Sequence, residues 1–484
     1  MPYLLGCDIG TTNLKITAFD SESGAILATS SEGYAMQHPH PGWSEQNPEE
    51  IYGALLRCAQ SVLAETHRYG RLLGISFSSA MHGVLALDEQ GGALSQLIIW
   101  ADNRSAVVAD ALRKTSEGQE MYRRTGTPIH AMSPLCKLIW LREEQPDLFA
   151  LTHKFIGIKE YLVFRLTGAY VVDYSIASAT GLFNIVEQQW DSWTLQRIGL
   201  SEQKLSKAVS PYYQVELSVG NDLGVPAGTP LIMGASDGCL ANLGSGSIAS
   251  NSMTVTIGTS AATRVSATEP YIDPKMRTFC YLLDEYTYVV GGASNNGAVI
   301  FDWLKEQFFP DSSYEAIFKE AEKVSPGSDG LLLFPYLLGE RSPLWSSTVR
   351  GGFSGLDIQH TRAHFVRAVM EGILLNLFEV GDILVEKNGV KTIYANGGFA
   401  HSSLWVQMLA DVFGVNVMLN DTVETGTVGA VMMAMKSLGL KRDYSEMDRL
   451  TPVSVLFQYD PQAHEAYQKS FARFKKESEA FAGF

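Results

Sequence analysis

Two short segments of the chain, one near the N-terminus and one near the middle, read as copies of the same structural unit. Residues 8–12 (Asp-Ile-Gly-Thr-Thr) follow an apolar run, and residues 256–260 (Thr-Ile-Gly-Thr-Ser) follow the alternating run at 253–255. Each pattern predicts a strand, a tight glycine turn rich in hydroxyls and a second strand. Taken alone, either segment is equally typical of an ordinary β-hairpin, but an internal repeat indicates a duplicated architecture.

The composition of the two turns suggests what they bind. A glycine flanked by threonine and serine directs backbone N–H groups and hydroxyls into one small concavity, which suits phosphate oxygens. Two such turns, one in each half, predict a cleft that holds a polyphosphate from both sides. Only the first copy carries a carboxylate, Asp8. We therefore expect a metal ion on that side of the cleft and phosphate alone on the other.

The length of 484 residues exceeds the size at which one hydrophobic core stops growing, so two large domains are expected. Strands and helices alternate in both halves, which is typical of α/β domains, whereas residues 106–221 read as mainly helical. Residues 244–247 (Gly-Ser-Gly-Ser) have the composition of a hinge. We place the boundary there, which gives domains 1–245 and 246–484.

Charge and cysteine content exclude several classes of partner. The formal net charge of −15 argues against nucleic acid or an anionic membrane, although a solubilising surface accounts for the acidity equally well. Five widely spaced cysteines without a CxxC pair predict reduced thiols. The chain shows no basic, cleavable leader, and no run approaches about 18 apolar residues. We expect a soluble, cytoplasmic protein.

Longer patterns in the chain resemble the FGGY family of carbohydrate kinases, whose core is that of the actin-like (ribonuclease H-like) ATPases. Residues 132–144, which begin Met-Ser-Pro-Leu-Cys-Lys, are similar to the first signature of the family, and residues 351–371, which begin Gly-Gly-Phe-Ser-Gly-Leu, to the second. The resemblance runs along the whole chain. It implies an α/β fold of two duplicated actin-like ATPase domains with an interdomain catalytic cleft, and a kinase that uses ATP and Mg²⁺.

The resemblance also assigns roles at the cleft. Asp237, at the end of an apolar strand, would be the general base that accepts the proton of the attacking hydroxyl, although Ser-Asp-Gly alone is more typical of a helix N-cap or an Asx turn. Asp8 would hold Mg²⁺ through water. Lys15 would add a positive charge at the phosphates or point to solvent. The residues implied in nucleotide binding are Gly10, Thr11, Thr12, Lys15, Gly258, Thr259, Gly297, Gly397, Gly398 and Ser402.

The sugar side is expected in the first half. Met81 and His82 are similar to the pair that xylulokinases and gluconokinases of this family place against the substrate, although a single histidine after a strand is more often a core or surface residue. Trp100, Asp102 and Arg104 end another strand. An indole face suits sugar C–H groups, and Asp and Arg suit hydroxyls, whereas a buried tryptophan followed by a charged turn is the structural alternative.

Within the family, stretches such as 77–82 and 100–105 are most similar to bacterial gluconokinases. Gluconate carries a carboxylate that xylulose lacks, so its pocket should add a cation or extra donors. The candidates are Arg104, His130 and Lys159. The resemblance therefore implies phosphorylation of D-gluconate to 6-phosphogluconate. A xylulokinase and a non-catalytic nucleotide-binding module of the actin-like class remain as alternatives. Family members are often homodimers, but no residue pattern marks an interface.

Overall fold

The computed structural model describes residues 1–249, 251–420 and 424–482. The strands of the first half are β1 (Tyr3–Ile9), β2 (Asn13–Asp20), β3 (Ile26–Gly33), β4 (Glu45–Gln46), β5 (Leu72–Ser79), β6 (Leu85–Leu87), β7 (Leu97–Ile98), β8 (Lys154–Ile156), β9 (Val171–Asp173), β10 (Phe183–Asn184), β11 (Gln189–Trp190), β12 (Lys207–Val209), β13 (Gln214–Glu216) and β14 (Pro230–Ser236). Its helices are α1 (Pro48–Thr66), α2 (Ala106–Arg113), α3 (Ser116–Thr125), α4 (Pro134–Glu144), α5 (Pro146–Leu151), α6 (Ile158–Thr167), α7 (Tyr174–Ser178), α8 (Ser192–Ile198) and α9 (Asp237–Gly244).

The second half follows the same style of alternation. Its strands are β15 (Ser252–Ile257), β16 (Ala261–Ala267), β17 (Phe279–Asp284), β18 (Thr287–Ser294), β19 (Leu332–Phe334), β20 (Gly352–Ser354), β21 (Thr392–Asn396), β22 (Asn416–Asn420) and β23 (Val453–Phe457). Its helices are α10 (Ala298–Phe308), α11 (Tyr314–Ala321), α12 (Arg362–Asn388), α13 (Ser403–Phe413), α14 (Thr425–Ser437) and α15 (Pro461–Ala482). Short 3₁₀ turns lie at Glu202–Lys204, Ser328–Gly330, Gly398–His401 and Tyr444–Leu450.

Each half is built on one large mixed sheet. The first sheet has the order β3-β2-β1-β5-β14-β13, and the second has β17-β18-β16-β15-β21-β22-β23. In both, a hairpin (β1 with β2, β15 with β16) is followed by two parallel additions: β5 and β14 in the first sheet, β21 and β22 in the second. An antiparallel strand then closes the edge. The six strands of the first sheet recur in the second with the same order and directions, and the second sheet adds β17 beside β18. The duplicated α/β fold predicted from the repeated turns is confirmed.

Local chemistry explains why these elements form. The central strand β1 is an almost continuous apolar run, as expected where a sheet is covered on both faces. Helix α1 begins at a cap, since the Asn47 side chain accepts a hydrogen bond from the Glu49 N–H and a proline occupies the first turn. The expectation that residues 106–221 are mainly helical is only partly right, because short strands β8 to β11 interrupt α2 to α8 and strands β12 and β13 follow α8.

Helices α9 and α14 cross in close contact between the two sheets, and α14 packs against β1 and β5 of the first sheet. A Cβ at Gly244 would lie 2.0 Å from the Thr425 carbonyl oxygen, and one at Gly429 would lie 2.3 Å from that of Leu240. Gly244 is therefore a packing glycine at the end of α9, and the domain boundary predicted at residues 244–247 stays a prediction. Among the described helices, we find none with the length and apolarity needed to span a membrane.

Candidate active site

A cavity of about 240 Å³ opens between the two halves. Residues of both sheets and of the loops beyond them line it: Thr11, Met81, His82, Trp100, Met132, Asp237, Gly238, Cys239, Ser260, Ala261, Ala262, Arg264, Phe279, Tyr281, Val289, Ala293, Arg341 and Trp345. Strands β1, β5 and β14 run parallel, so their carboxyl ends meet at the edge that carries Thr11, Met81 and Asp237. The volume suits a ligand smaller than a drug-sized molecule.

Among the described residues that line this cavity, Asp237 is the only one with a carboxylate. It is the first residue of α9, and the side chain of Ser236, not of Asp237, caps that helix. The Asp237 carboxylate accepts one hydrogen bond, at 2.7 Å, from the Gly238 N–H. Burial, with the nearby negative charge of Asp8, raises the Asp237 pKa to about 6, and the Arg264 guanidinium opposes that rise. A carboxylate with a pKa near neutrality is suited to accept a proton.

Asp8 is the penultimate residue of β1 and lies at the same edge. Its Oδ1 accepts a hydrogen bond of 2.6 Å from the Ser78 hydroxyl, and burial raises the pKa of this carboxyl group, with Glu424 adding to the effect. A buried carboxylate close to like charges fits a divalent cation. The described parts of the chain hold no cluster of three or more His, Cys, Asp and Glu side chains that could bind a metal. Asp8 therefore fits Mg²⁺ only as part of a complex with phosphate and water, which is how proteins usually hold this ion.

The two glycine turns lie at the ends of equivalent strands. In the first, the Gly10 N–H bonds to the Asn13 carbonyl at 3.0 Å, and the Thr11 hydroxyl accepts a 2.8 Å bond from Trp100 Nε1. Thr12 is exposed. In the second, the Gly258 carbonyl accepts a 2.7 Å bond from the Ala298 N–H, so this turn packs on the start of α10.

Other residues predicted for nucleotide binding surround the second turn. Gly297 and Gly397 both pack against it. A Cβ on Gly297 would lie 2.5 Å from the Gly258 carbonyl oxygen, and a Cβ on Gly397 would lie 2.4 Å from the Ile257 carbonyl oxygen. Thr259 lies within the turn itself, and its carbonyl accepts a 3.2 Å bond from the Gly297 N–H. The structure thus brings these glycines to one place.

Three further predicted nucleotide residues have other surroundings. A Cβ at Gly398 would meet no described atom within 4 Å, so this position is open. The Ser402 hydroxyl caps α13 through the Trp405 N–H at 3.3 Å. Lys15 neither points freely to solvent nor stands alone, because its Nζ lies 2.9 Å from Glu424 Oε1. That pair joins the first sheet to the start of α14.

On the sugar side, Met81, His82 and Trp100 line the cavity. His82 adopts φ = +70°, and its Nδ1 lies 2.8 Å from the Ala179 carbonyl oxygen. Burial, reinforced by the Lys137 charge, lowers the His82 pKa to about 3, so the ring is neutral. A neutral ring that donates from Nδ1 presents Nε2 as an acceptor, which suits a sugar hydroxyl.

Asp102 and Arg104 lie outside the cavity lining and bond to each other. Arg104 Nη2 is 2.8 Å from Asp102 Oδ2 and 2.6 Å from Glu45 Oε1, and its guanidinium stacks 3.7 Å from the Trp43 ring centroid. The Asp102 carboxylate also accepts the Ser44 N–H at 2.6 Å. These contacts correspond to the structural alternative for this segment, a charged turn after a tryptophan. Direct binding of sugar hydroxyls by the pair stays a prediction that the geometry does not favour.

The other two candidates for carboxylate binding are also displaced from the cavity wall. His130 packs behind Trp345, with ring centroids 5.7 Å apart, and burial lowers its pKa to about 3. Lys159 is fully buried, with its Nζ 2.6 Å from Asp173 Oδ2 and within 3.1 Å of the Met233 and Ala235 carbonyls. Its donors are therefore occupied, and it faces no free anion site.

The cations that do line the cavity are Arg264 and Arg341, which sequence reasoning missed. Arg264 lies on β16, and a Cβ on Gly238 would stand 3.3 Å from its Nε. Arg341 lies in the loop between β19 and β20, with its guanidinium 5.0 Å from the Trp100 ring centroid. The signal for Arg264 was its position in the strand after the second glycine turn. Arg341 had no local signal, because only the fold brings its loop to the cavity.

The comparisons with known proteins agree with this architecture. The model for the N-terminal domain of the FGGY family of carbohydrate kinases matches residues 3–244, and that for the C-terminal domain matches residues 253–438. The chain belongs to this family. It is an ATP-dependent sugar kinase, that is, a phosphotransferase with an alcohol group as acceptor, and its substrates are small molecules.

Relatives within the family include kinases named for gluconate and for xylulose. The gluconokinase of Bacillus subtilis (strain 168) is 40% identical over 452 residues, which span 90% of this chain and 88% of that protein. A gluconate kinase from Lactobacillus acidophilus superposes with a TM-score of 0.95 at 33% identity, covering 99% of this chain and 98% of that one. A xylulose kinase from the same organism gives 0.96 at 33% identity, with coverages of 100% and 99%.

Proposed function

We propose that this FGGY kinase transfers the γ-phosphoryl group of ATP to the C6 hydroxyl of D-gluconate, with Asp237 as the general base. The observation that carries the proposal is the charge of the cavity, where two guanidinium groups face a space in which the base is the only carboxylate among the described lining residues. An uncharged ketopentose needs no such cations, whereas a sugar acid does. The 40% identity to a gluconokinase supports the same substrate.

In the proposed reaction, the C6 oxygen attacks the γ-phosphorus. The bond from that phosphorus to the bridging oxygen breaks, and ADP leaves with the electron pair. The hydroxyl proton passes to the Asp237 carboxylate. The backbone of the two glycine turns, with Thr11, Thr12, Gly258 and Thr259, would hold the phosphates. When bound, Mg²⁺ beside Asp8 would neutralise charge on the β- and γ-phosphates.

The remaining expectations from the sequence belong to this proposal. Gly397, Gly398 and Ser402 would lie along the adenosine, and the domains would divide between residues 245 and 246. A homodimer and a cytoplasmic location also stay predictions. All five cysteines are free and buried, which accords with a reducing compartment.

The alternative substrate is D-xylulose, which the close superposition on a xylulose kinase favours. A coupled ADP-release assay with Mg-ATP separates the two, using D-gluconate, D-xylulose, L-ribulose and glycerol as acceptors. We expect turnover on gluconate to exceed that on the neutral sugars. Turnover on xylulose alone would reject gluconate and retain the kinase chemistry. ATP consumption that no acceptor stimulates would favour the non-catalytic module.

A further inference from the structure

The loop that carries Arg341 is fixed on both sides of that residue. The buried Glu340 carboxylate accepts hydrogen bonds from the Ser294 hydroxyl at 2.7 Å, from Asn376 Nδ2 at 2.8 Å and from the Arg341 N–H at 2.8 Å. On the other side, the Ser342 N–H bonds to a carbonyl of β18 at 2.9 Å. The backbone at Arg341 is therefore held before any ligand arrives, which reduces the cost of ordering its side chain.

The Arg341 guanidinium is held in place without being neutralised. Nη2 donates to the Ser294 carbonyl at 3.0 Å, whereas Nε is buried without an acceptor among the described residues. Within those residues, no carboxylate lies within 4.0 Å of the guanidinium nitrogens. Burial lowers the Arg341 pKa to about 10, so the group is desolvated yet still charged near neutral pH. Arg341 is half-buried, and a partly desolvated cation without a paired carboxylate gains stability when an anion binds it.

Arg264, the second cation of the cavity, has a different partner. Among the neighbouring charges, that of Asp237 has the largest effect on the Arg264 pKa, which it raises. In turn, Arg264 opposes the rise in the Asp237 pKa more than any other cation. The Arg341 pKa responds more to Glu340, Arg264 and Tyr281 than to Asp237. The geometry shows the same division, because a Cβ on Gly238, the residue after the base, would stand 3.3 Å from Arg264 Nε. The Arg341 guanidinium instead contacts the Ser294 carbonyl and the face of Trp100.

A polyol acid matches this division, because the carboxylate of gluconate lies at the opposite end of the carbon chain from the C6 hydroxyl. We propose that Arg341 binds the substrate carboxylate and so selects a sugar acid over a neutral sugar. Its planar guanidinium can donate two parallel hydrogen bonds to a carboxylate, and Trp100 supports its face. This inference deepens the proposed function and rests on it for the identity of the sugar.

The test compares binding of D-gluconate and D-glucitol, which differ in having a carboxylate or a hydroxymethyl group at C1. Isothermal titration calorimetry without nucleotide gives Kd for the wild type and for Arg341→Gln, Arg341→Lys and Arg264→Gln. Arg350→Gln is the matched control, because Arg350 is an exposed arginine of the same loop whose guanidinium bonds only to nearby carbonyls among the described residues. Thermal unfolding of each variant checks that the fold is kept.

We expect Arg341→Gln to raise the Kd for gluconate about 10- to 100-fold, as for loss of a charge-assisted hydrogen bond, while the Kd for glucitol changes less than about threefold. Arg341→Lys should recover part of the loss. Equal gluconate affinity in Arg341→Gln and Arg350→Gln would overturn the inference, and so would a loss confined to Arg264→Gln. Failure of the wild type to bind gluconate would overturn it together with the proposed substrate. Carboxylate-dependent binding by a wild type that phosphorylates only xylulose would reject the proposed function and retain the Arg341 site.

Discussion

Replacing Arg264 with glutamine should shift the acid limb of the pH–rate profile to higher pH. The rate on the alkaline side need not change. The Asp237 pKa of about 6 already includes the opposing effect of the Arg264 charge. An opposite charge at close range lowers a carboxyl pKa by about one to three pH units, so its removal should raise that of Asp237 to about 7 or higher. At pH 6, the ionised fraction would then fall from about one half to about one tenth, a roughly fivefold loss of active base.

The measurement is kcat/KM for gluconate between about pH 5 and 9, at saturating Mg-ATP, with the auxiliary enzymes of the coupled assay in excess. The sign follows from the chemistry, because the base must be ionised and a higher pKa removes activity from the acid side. Arg350→Gln controls for net charge and for the titration of ATP itself, which is common to all variants. An Arg264→Gln profile that superimposes on that of Arg350→Gln after scaling would refute the electrostatic assignment of Arg264.

Three further predictions concern the same site. Asp237→Asn should lower kcat by about 10²- to 10⁴-fold with nucleotide affinity retained. The same variant should stabilise the fold at pH 8 by up to about 3 kcal/mol but not at pH 4, because a carboxyl group with a raised pKa destabilises the folded state at pH values above its pKa in the unfolded chain. Urea unfolding at both pH values measures this difference. Gly426→Ala should weaken Mg-ATP binding more than gluconate binding, both followed by calorimetry, since its Cβ would lie 2.6 Å from Asp8 Oδ2. Lys159→Met should destabilise the protein by about 3–5 kcal/mol, because it leaves Asp173 buried and unpaired. The folded fraction should keep an unchanged KM for gluconate, which is measured by kinetics at low temperature.

The duplicated fold was predictable because its signal is local. A strand, a glycine turn and a second strand occupy about a dozen consecutive residues, and the chain spells this unit twice. Helices such as α1, α10 and α13 are equally local in their signal, because apolar residues recur at helical spacing and caps or glycines mark the ends. The small strands β8 to β12, of two or three residues each, carry no periodicity and were not predicted.

The sugar side could be predicted only where the chain places residues directly at the ends of strands. Met81, His82, Trp100 and Asp237 follow strands of the first half, and all four line the cavity. Arg104 follows the same rule in sequence, yet its guanidinium turns back onto neighbouring carboxylates. Side-chain direction after a strand depends on tertiary partners, which a linear pattern does not contain.

The separation of the two cavity cations also bears on how a sugar kinase avoids spending ATP on water. A water molecule is small enough to reach Asp237, so the base alone offers little discrimination. In the proposed arrangement, a sugar acid is held at both ends, with its hydroxyl at Asp237 and its carboxylate at Arg341. Binding energy from the remote end then orients the reacting hydroxyl, an advantage that water lacks because it has no second group to bind. Arg341→Gln should accordingly lower the ratio of the rate of gluconate phosphorylation to the rate of ATP hydrolysis by water, whereas Arg350→Gln should leave that ratio unchanged.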